Sequence, residues 1–170
     1  MKPSVLRIAG FGFRREATIK SLGQALDQLI DQYGSVYKYG AVYKYGLINR
    51  LAAARSMLPL VEELGRLRNI EVIAVADAEL STVATLTHST HSLQARGTGS
   101  VAEAVALLAA GPNARLVGPR IISADRQATA ALALGFARKL PVLDNTALKI
   151  ASKYSFTPRK LRFFVDFCLV

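Results

Sequence analysis

Hydrophobic and polar positions in the first half of the chain follow two periods in turn. Residues 4–9 form a short apolar run that predicts a buried strand, and Gly10-Phe11-Gly12-Phe13-Arg14-Arg15 follows at once, predicting a glycine turn. Ile19, Leu22, Leu26, Leu29 and Ile30 then recur at the spacing of an amphipathic helix. Met57, Leu60, Val61, Leu64 and Leu67 predict a second helix, and residues 71–76 alternate into the β-branched run expected of a buried strand. Strand and helix repeat, which places the chain in the α/β class.

Ser100-Val101-Ala102-Glu103 has the S-x-x-E form of a capping box, in which the hydroxyl accepts from the Glu103 N–H and the carboxylate reaches back to cap the turn. A third helix is predicted from there, with Val101, Val105 and Leu108 on one face and its end at Gly111-Pro112. Leu116-Val117 and Ile121-Ile122 read as strand fragments. Residues 128–134 are small and apolar; a strand is expected, and a tightly packed helix fits the same composition.

Two segments depart from this frame. Ser35-Val36-Tyr37-Lys38-Tyr39-Gly40 is followed by Ala41-Val42-Tyr43-Lys44-Tyr45-Gly46, a tandem duplication that predicts an exposed hairpin or loop turning near Gly40. Residues 139–170 carry a predicted helix over 147–153 and an apolar end at Phe163-Phe164-Val165-Asp166-Phe167. Such an end must be covered, by packing on the domain or by a contact between two copies in a homodimer.

Composition narrows the choice of function. With 170 residues and 51% hydrophobic content the chain can bury one substantial core, and one domain is expected. No apolar run reaches the length of a spanning helix, the start has no leader pattern, and Cys168 has no partner for an internal disulfide, so a cytoplasmic protein is expected. A net charge of +10 favours polyanionic partners, either nucleic acid or a small polycarboxylate. Trp is absent, and no RNA-binding strand motif, zinc finger or clear helix-turn-helix occurs, which leaves nucleic acid as an alternative only. His88 and His91 lie in what reads as a polar loop without the ligand count zinc requires; no metal and no cofactor is expected.

Gly10-Phe11-Gly12-Phe13-Arg14-Arg15 after the first strand, with Gly97-Thr98-Gly99-Ser100-Val101-Ala102-Glu103-Ala104 leading into the apolar helix, resembles the two signature blocks of the family formed by CobE and the C-terminal domain of CbiG. Gly118-Pro119-Arg120 and the small-residue run from Ala128 follow in the family's order, and the resemblance spans residues 4–30 and 53–135. The duplication and the tail depart from it, setting a family-like domain over 1–138, with an atypical insertion near 33–50, apart from an extension over 139–170 packed on it. The resemblance implies a three-layer α/β/α sandwich with a mostly parallel or mixed sheet. It also implies a role in cobalamin biosynthesis, with a corrin or precorrin intermediate as ligand and other enzymes of the pathway as partners. CobE is implied to bind or escort an intermediate. CbiG opens a precorrin ring-A lactone with release of acetaldehyde, which makes lactone hydrolysis the alternative.

The ligand is expected at the signature blocks: Gly10, Gly12, Phe13, Arg14 and Arg15 from the first, Gly97, Thr98, Gly99 and Ser100 from the second, and Arg120. Glycines let backbone approach a ligand, helix N-termini favour anions, and guanidinium groups grip carboxylates. The two glycine turns are expected to face each other across one crevice at the carboxyl ends of the strands. Gly10 and Gly12 are explained equally well by a tight strand-to-helix turn. Glu103, the only acid in a signature block, is the candidate catalytic residue, and a plain helix cap is its simpler role.

Overall fold

The computed structural model describes residues 5–33, 35–38, 41–44 and 48–136. The chain divides into two compact units, Met1–Ala137 and Arg138–Val170, and every described residue belongs to the first. The predicted tail helix and the apolar end at Phe163 lie outside the described residues.

Strand β1 (Val5–Phe13) leads into helix α1 (Ile19–Tyr33). A separate hairpin follows, of β2 (Ser35–Lys38) and β3 (Ala41–Lys44), paired antiparallel with Val36 opposite Tyr43. The duplication therefore folds on itself, and its residues Tyr39, Gly40, Tyr45 and Gly46 lie outside the described residues. Next come β4 (Arg50–Ala54), α2 (Leu58–Arg68), β5 (Glu71–Val75), a stretch of 3-10 helix over Asp77–Thr82, and α3 (Thr90–Arg96). The chain continues through α4 (Val101–Ala110), β6 (Arg115–Leu116), β7 (Ile121–Ile122) and β8 (Ala128–Phe136). The six-stranded sheet runs β5-β4-β1-β8-β6, with β7 also on β8. β1, β4 and β5 are mutually parallel, whereas β8 is antiparallel to β1, β6 and β7, which makes the sheet mixed.

The two faces bury different side chains, as strand alternation requires. On one, Ala9, Phe11, Leu51 and Leu132 meet Leu22, Leu26 and Leu29 of α1 and Val61 and Leu64 of α2. On the other, Ile8, Ala52, Ala54, Ala131 and Ala133 meet α4 through Ala102, Val105, Ala106 and Ala110. The second face is built from the smallest residues, so helix and sheet backbones come close together.

That close approach corrects the first glycine motif. Gly10 and Gly12 are not in a turn; they lie within β1, paired with Ala131 and Thr129. A Cβ on Gly10 would fall on the carbonyl oxygen of Ala102 and 2.8 Å from the Ala106 methyl, so the glycine is needed for the seat of α4. The alternation of Gly with Phe is a strand pattern: glycines face α4 and Phe11 faces α1. α4 likewise sits on its Ala102, Ala106 and Ala110 side, with Val101 and Leu108 half-buried at its flanks.

Candidate functional site

Three parallel strands end together, and the loops beyond them carry most of the chemically distinctive residues. Gly12, near the end of β1, lies under the first turn of α4: a Cβ there would be 3.1 Å from the Ala102 nitrogen. α4 is capped by the Ser100 hydroxyl, which accepts from the Glu103 N–H at 3.4 Å. The reciprocal half of the predicted box is absent. The Glu103 carboxylate turns away from its own helix and accepts from the Thr87 N–H at 2.9 Å, the Thr87 hydroxyl at 2.8 Å and the Arg120 N–H at 3.0 Å. The carboxylate thereby supplies the acceptor for two loop N–H groups and one hydroxyl, which its own helix end does not engage. The reciprocal box forms instead on α1, where Thr18 Oγ1 accepts from the Ser21 N–H and Ser21 Oγ accepts from the Thr18 N–H.

Glu103 is fully buried and ties the 85–89 loop and the 118–120 loop to α4. The second loop exists because the edge strand breaks: Arg115 pairs with Leu134 but Ile121 pairs with Ala130, so the edge carries two residues more than β8 over this stretch. Gly118-Pro119-Arg120 occupies the excess. From the other face Tyr33 closes over it, its hydroxyl donating to the Pro119 carbonyl at 3.0 Å. Burial, and secondarily the Glu103 charge, push the Tyr33 hydroxyl above its ordinary pKa, so it stays a donor. On the α4 side, Gly99 permits close contact with the 85–88 turn; a Cβ there would lie 2.6 Å from His88 Nδ1.

The arrangement brings together Gly97, Thr98, Gly99, Ser100, Glu103 and Arg120. Gly97 closes α3 with a φ of 66°. Thr98 is 3% exposed, and its hydroxyl has no hydrogen-bond partner among the described residues. Arg120 is held at both ends, its N–H on Glu103 and its guanidinium 3.5 Å from the Gly99 carbonyl oxygen. Gly12 and Phe13 end the adjacent strand, while Gly10 lies deeper, beneath the body of α4. Arg14 and Arg15 follow β1, are exposed and form no ion pair among the described residues.

Three further residues at this end carried no recognisable motif. Beyond β4 and β5, Asp77 accepts from the Ser56 hydroxyl and from Arg96 of α3, both at 2.5 Å. Hydrogen bonding from Ser56, aided by the Arg96 charge, holds the Asp77 carboxyl below its ordinary pKa. The region expected to be a polar loop contains α3: His91 lies on that helix and His88 just before it, both exposed. No side chain of α3 is buried, so the ion pair and the Ser89 cap are its main anchors. No helix among the described residues is long and apolar enough to cross a membrane.

Comparison with known proteins follows this geometry. The family model for the cobalamin synthesis G C-terminus matches residues 7–133. Among solved structures, the chain is similar to CobE, a protein from the cobalamin biosynthetic pathway, at 28% identity and a TM-score of 0.65, covering 81% of this chain and 97% of that one. It is also similar to the cobalamin biosynthesis protein chiG from Agrobacterium tumefaciens, at 27% identity and a TM-score of 0.55, covering 76% and 98%. A cobalamin biosynthesis protein G homolog from Sulfolobus solfataricus, 18% identical with a TM-score of 0.56 over 76% of this chain and 37% of that one, shares the fold. No curated protein matches the chain.

Proposed function

This chain belongs to the family of the cobalamin synthesis G C-terminus, and we propose that it binds and escorts a carboxylate-rich corrin or precorrin intermediate at the carboxyl end of its parallel strands. The observation that carries this reading is the pair Arg14 and Arg15, exposed beyond β1 and without an ion-pair partner among the described residues. The first turn of α4 lies at the same strand end. A guanidinium takes a carboxylate through two parallel hydrogen bonds, and a helix N-terminus adds partial positive charge. Precursors of the corrin ring bear acetate and propionate groups around their rim, so several such contacts form at once.

Binding fits Glu103 better than lactone opening does. A general acid or base must reach the proton it transfers. Glu103 is fully buried, and both its oxygens are engaged by Thr87 and Arg120. Its proposed role is to fix the two loops and thereby to place Arg120 beside the second signature block. Arg120, Gly99 and Thr98 then complete the ligand's surroundings, with Gly10 and Gly12 acting through the seat of α4.

An absorbance titration of hydrogenobyrinic acid tests the reading. A saturable band shift is expected with the wild-type protein and a weaker one with Arg14→Ala/Arg15→Ala. The reading fails if the wild-type protein leaves the spectrum unchanged at high concentration.

A further inference from the structure

The proposed site has two arginines from one strand, but the sheet places others beside them. β4 is the parallel neighbour of β1, with Ala52 opposite Gly10, so Arg55 follows the end of β4 level with the end of β1. On the other side β8 runs antiparallel, with Ala128 opposite Phe13, so the turn before β8 lies at the same sheet end. That turn holds Arg126, and its next residue, Gln127, accepts the Arg14 N–H at 2.9 Å. Arg55, Arg14, Arg15 and Arg126 thus project from the ends of three adjacent strands, β4, β1 and β8, and all four are exposed. Strands about 4.8 Å apart spread these origins over roughly 10 Å.

None of the four forms an ion pair among the described residues, whereas Arg50, Arg68 and Arg96 are each matched to a carboxylate. No acid at this end forms an ion pair with the four arginines among the described residues. Asp125 accepts from the Ser21 and Ser123 hydroxyls and the Gln127 N–H, Asp77 is taken by Arg96, and Glu16 and Glu79 are exposed. The backbone of Arg126 is unusual as well. Its φ is 57°, while the other non-glycine residues at positive φ among the described residues are Asn69 and Asn113, the type that tolerates this region. An arginine held there, where asparagine or glycine is less strained, points to a use for its side chain.

We propose that Arg55 and Arg126, with Arg14 and Arg15, form an arc that receives several carboxylates of one ligand at once. The proposal rests on the corrin-binding reading and extends it: the ligand is a polycarboxylate whose acid groups span roughly 10 Å, the width of the three strands. A ligand with one carboxylate engages one end of the arc and binds weakly.

The test is an absorbance titration of the full chain with hydrogenobyrinic acid and with its fully amidated analogue. Arg55→Ala and Arg126→Ala are compared with Arg66→Ala, an exposed arginine on the last turn of α2 at the opposite end of the sheet. Loss of an exposed charge pair is expected to weaken binding of the acid about two- to fivefold in each arc variant, and more in the double variant. The amidated analogue should bind all variants alike. If the wild-type protein binds the acid and the arc variants match Arg66→Ala, the arc is overturned while the binding reading stands. If the wild-type protein binds neither compound, the reading itself falls. If the arc variants instead lose affinity only for a short single-stranded oligonucleotide, the arc recognises phosphates and the polycarboxylate proposal is overturned.

Discussion

The carboxylate of Glu103 accepts the main-chain N–H of Arg120 at 3.0 Å, joining a fully buried side chain of α4 to the loop that breaks the edge strand. This contact, with the two from Thr87, makes Glu103 the hinge point of the loops at one end of the molecule.

Glu103→Gln keeps the shape and removes the charge. Each oxygen of Glu103 faces a main-chain N–H, so either orientation of the Gln amide sets an NH2 group against a donor. A loss of about 1–3 kcal/mol is expected, and a larger one for Glu103→Ala, which leaves every donor unpartnered. Urea denaturation measures both; wild-type stability in Glu103→Gln would remove the proposed role.

Gly10→Ala should be the most damaging of the glycine substitutions in β1. The new methyl would strike the backbone of Ala102 and Ala106, which cannot rotate away, whereas at Gly12 the nearest atoms lie at 3.1 Å. About 1–3 kcal/mol is expected for Gly10→Ala and less for Gly12→Ala. Thermal melts that reverse this order would show that α4 does not sit as described.

Asp77 links α3 to pH. Its folded-state pKa is depressed, chiefly by Ser56, so the stabilisation is present above the unfolded value and lost as pH falls through the folded one. Asp77→Asn should therefore be less stable than wild type near neutrality, and the difference should close in acid. Arg96→Ala should speed amide exchange in α3 more than in α4, because α3 has no buried side chain of its own. A stability gap that stays constant from neutral pH into acid would contradict this.

Much of the fold was legible where side-chain size and period agreed. The α1 face at Leu22, Leu26 and Leu29, the Ser100 cap and the stop at Gly111 stand where the pattern places them. The pattern failed where residues were small. β4 reads Arg-Leu-Ala-Ala-Ala, with no β-branched residue or visible alternation, and it is a strand because β1 and β5 pair with it on both sides. Gly-Phe-Gly-Phe invited a turn because glycine is the usual turn residue, but here glycine answers to the helix packed above it. Around the candidate site, the second signature block and Arg120 could be singled out in advance. Tyr33, Thr87 and Asp77 could not, since each joins through contacts far apart in sequence.

Diffraction from crystals of the protein grown with hydrogenobyrinic acid tests the central claim most directly. The account predicts the macrocycle over the ends of β4, β1 and β8, with its carboxylates on Arg14 and Arg15. An open hollow of about 540 Å3 lies at the other end of α4, lined by Thr82, Leu107, Leu108 and Pro112. A macrocycle seated in that hollow, or no bound ligand at saturating concentration, would contradict it.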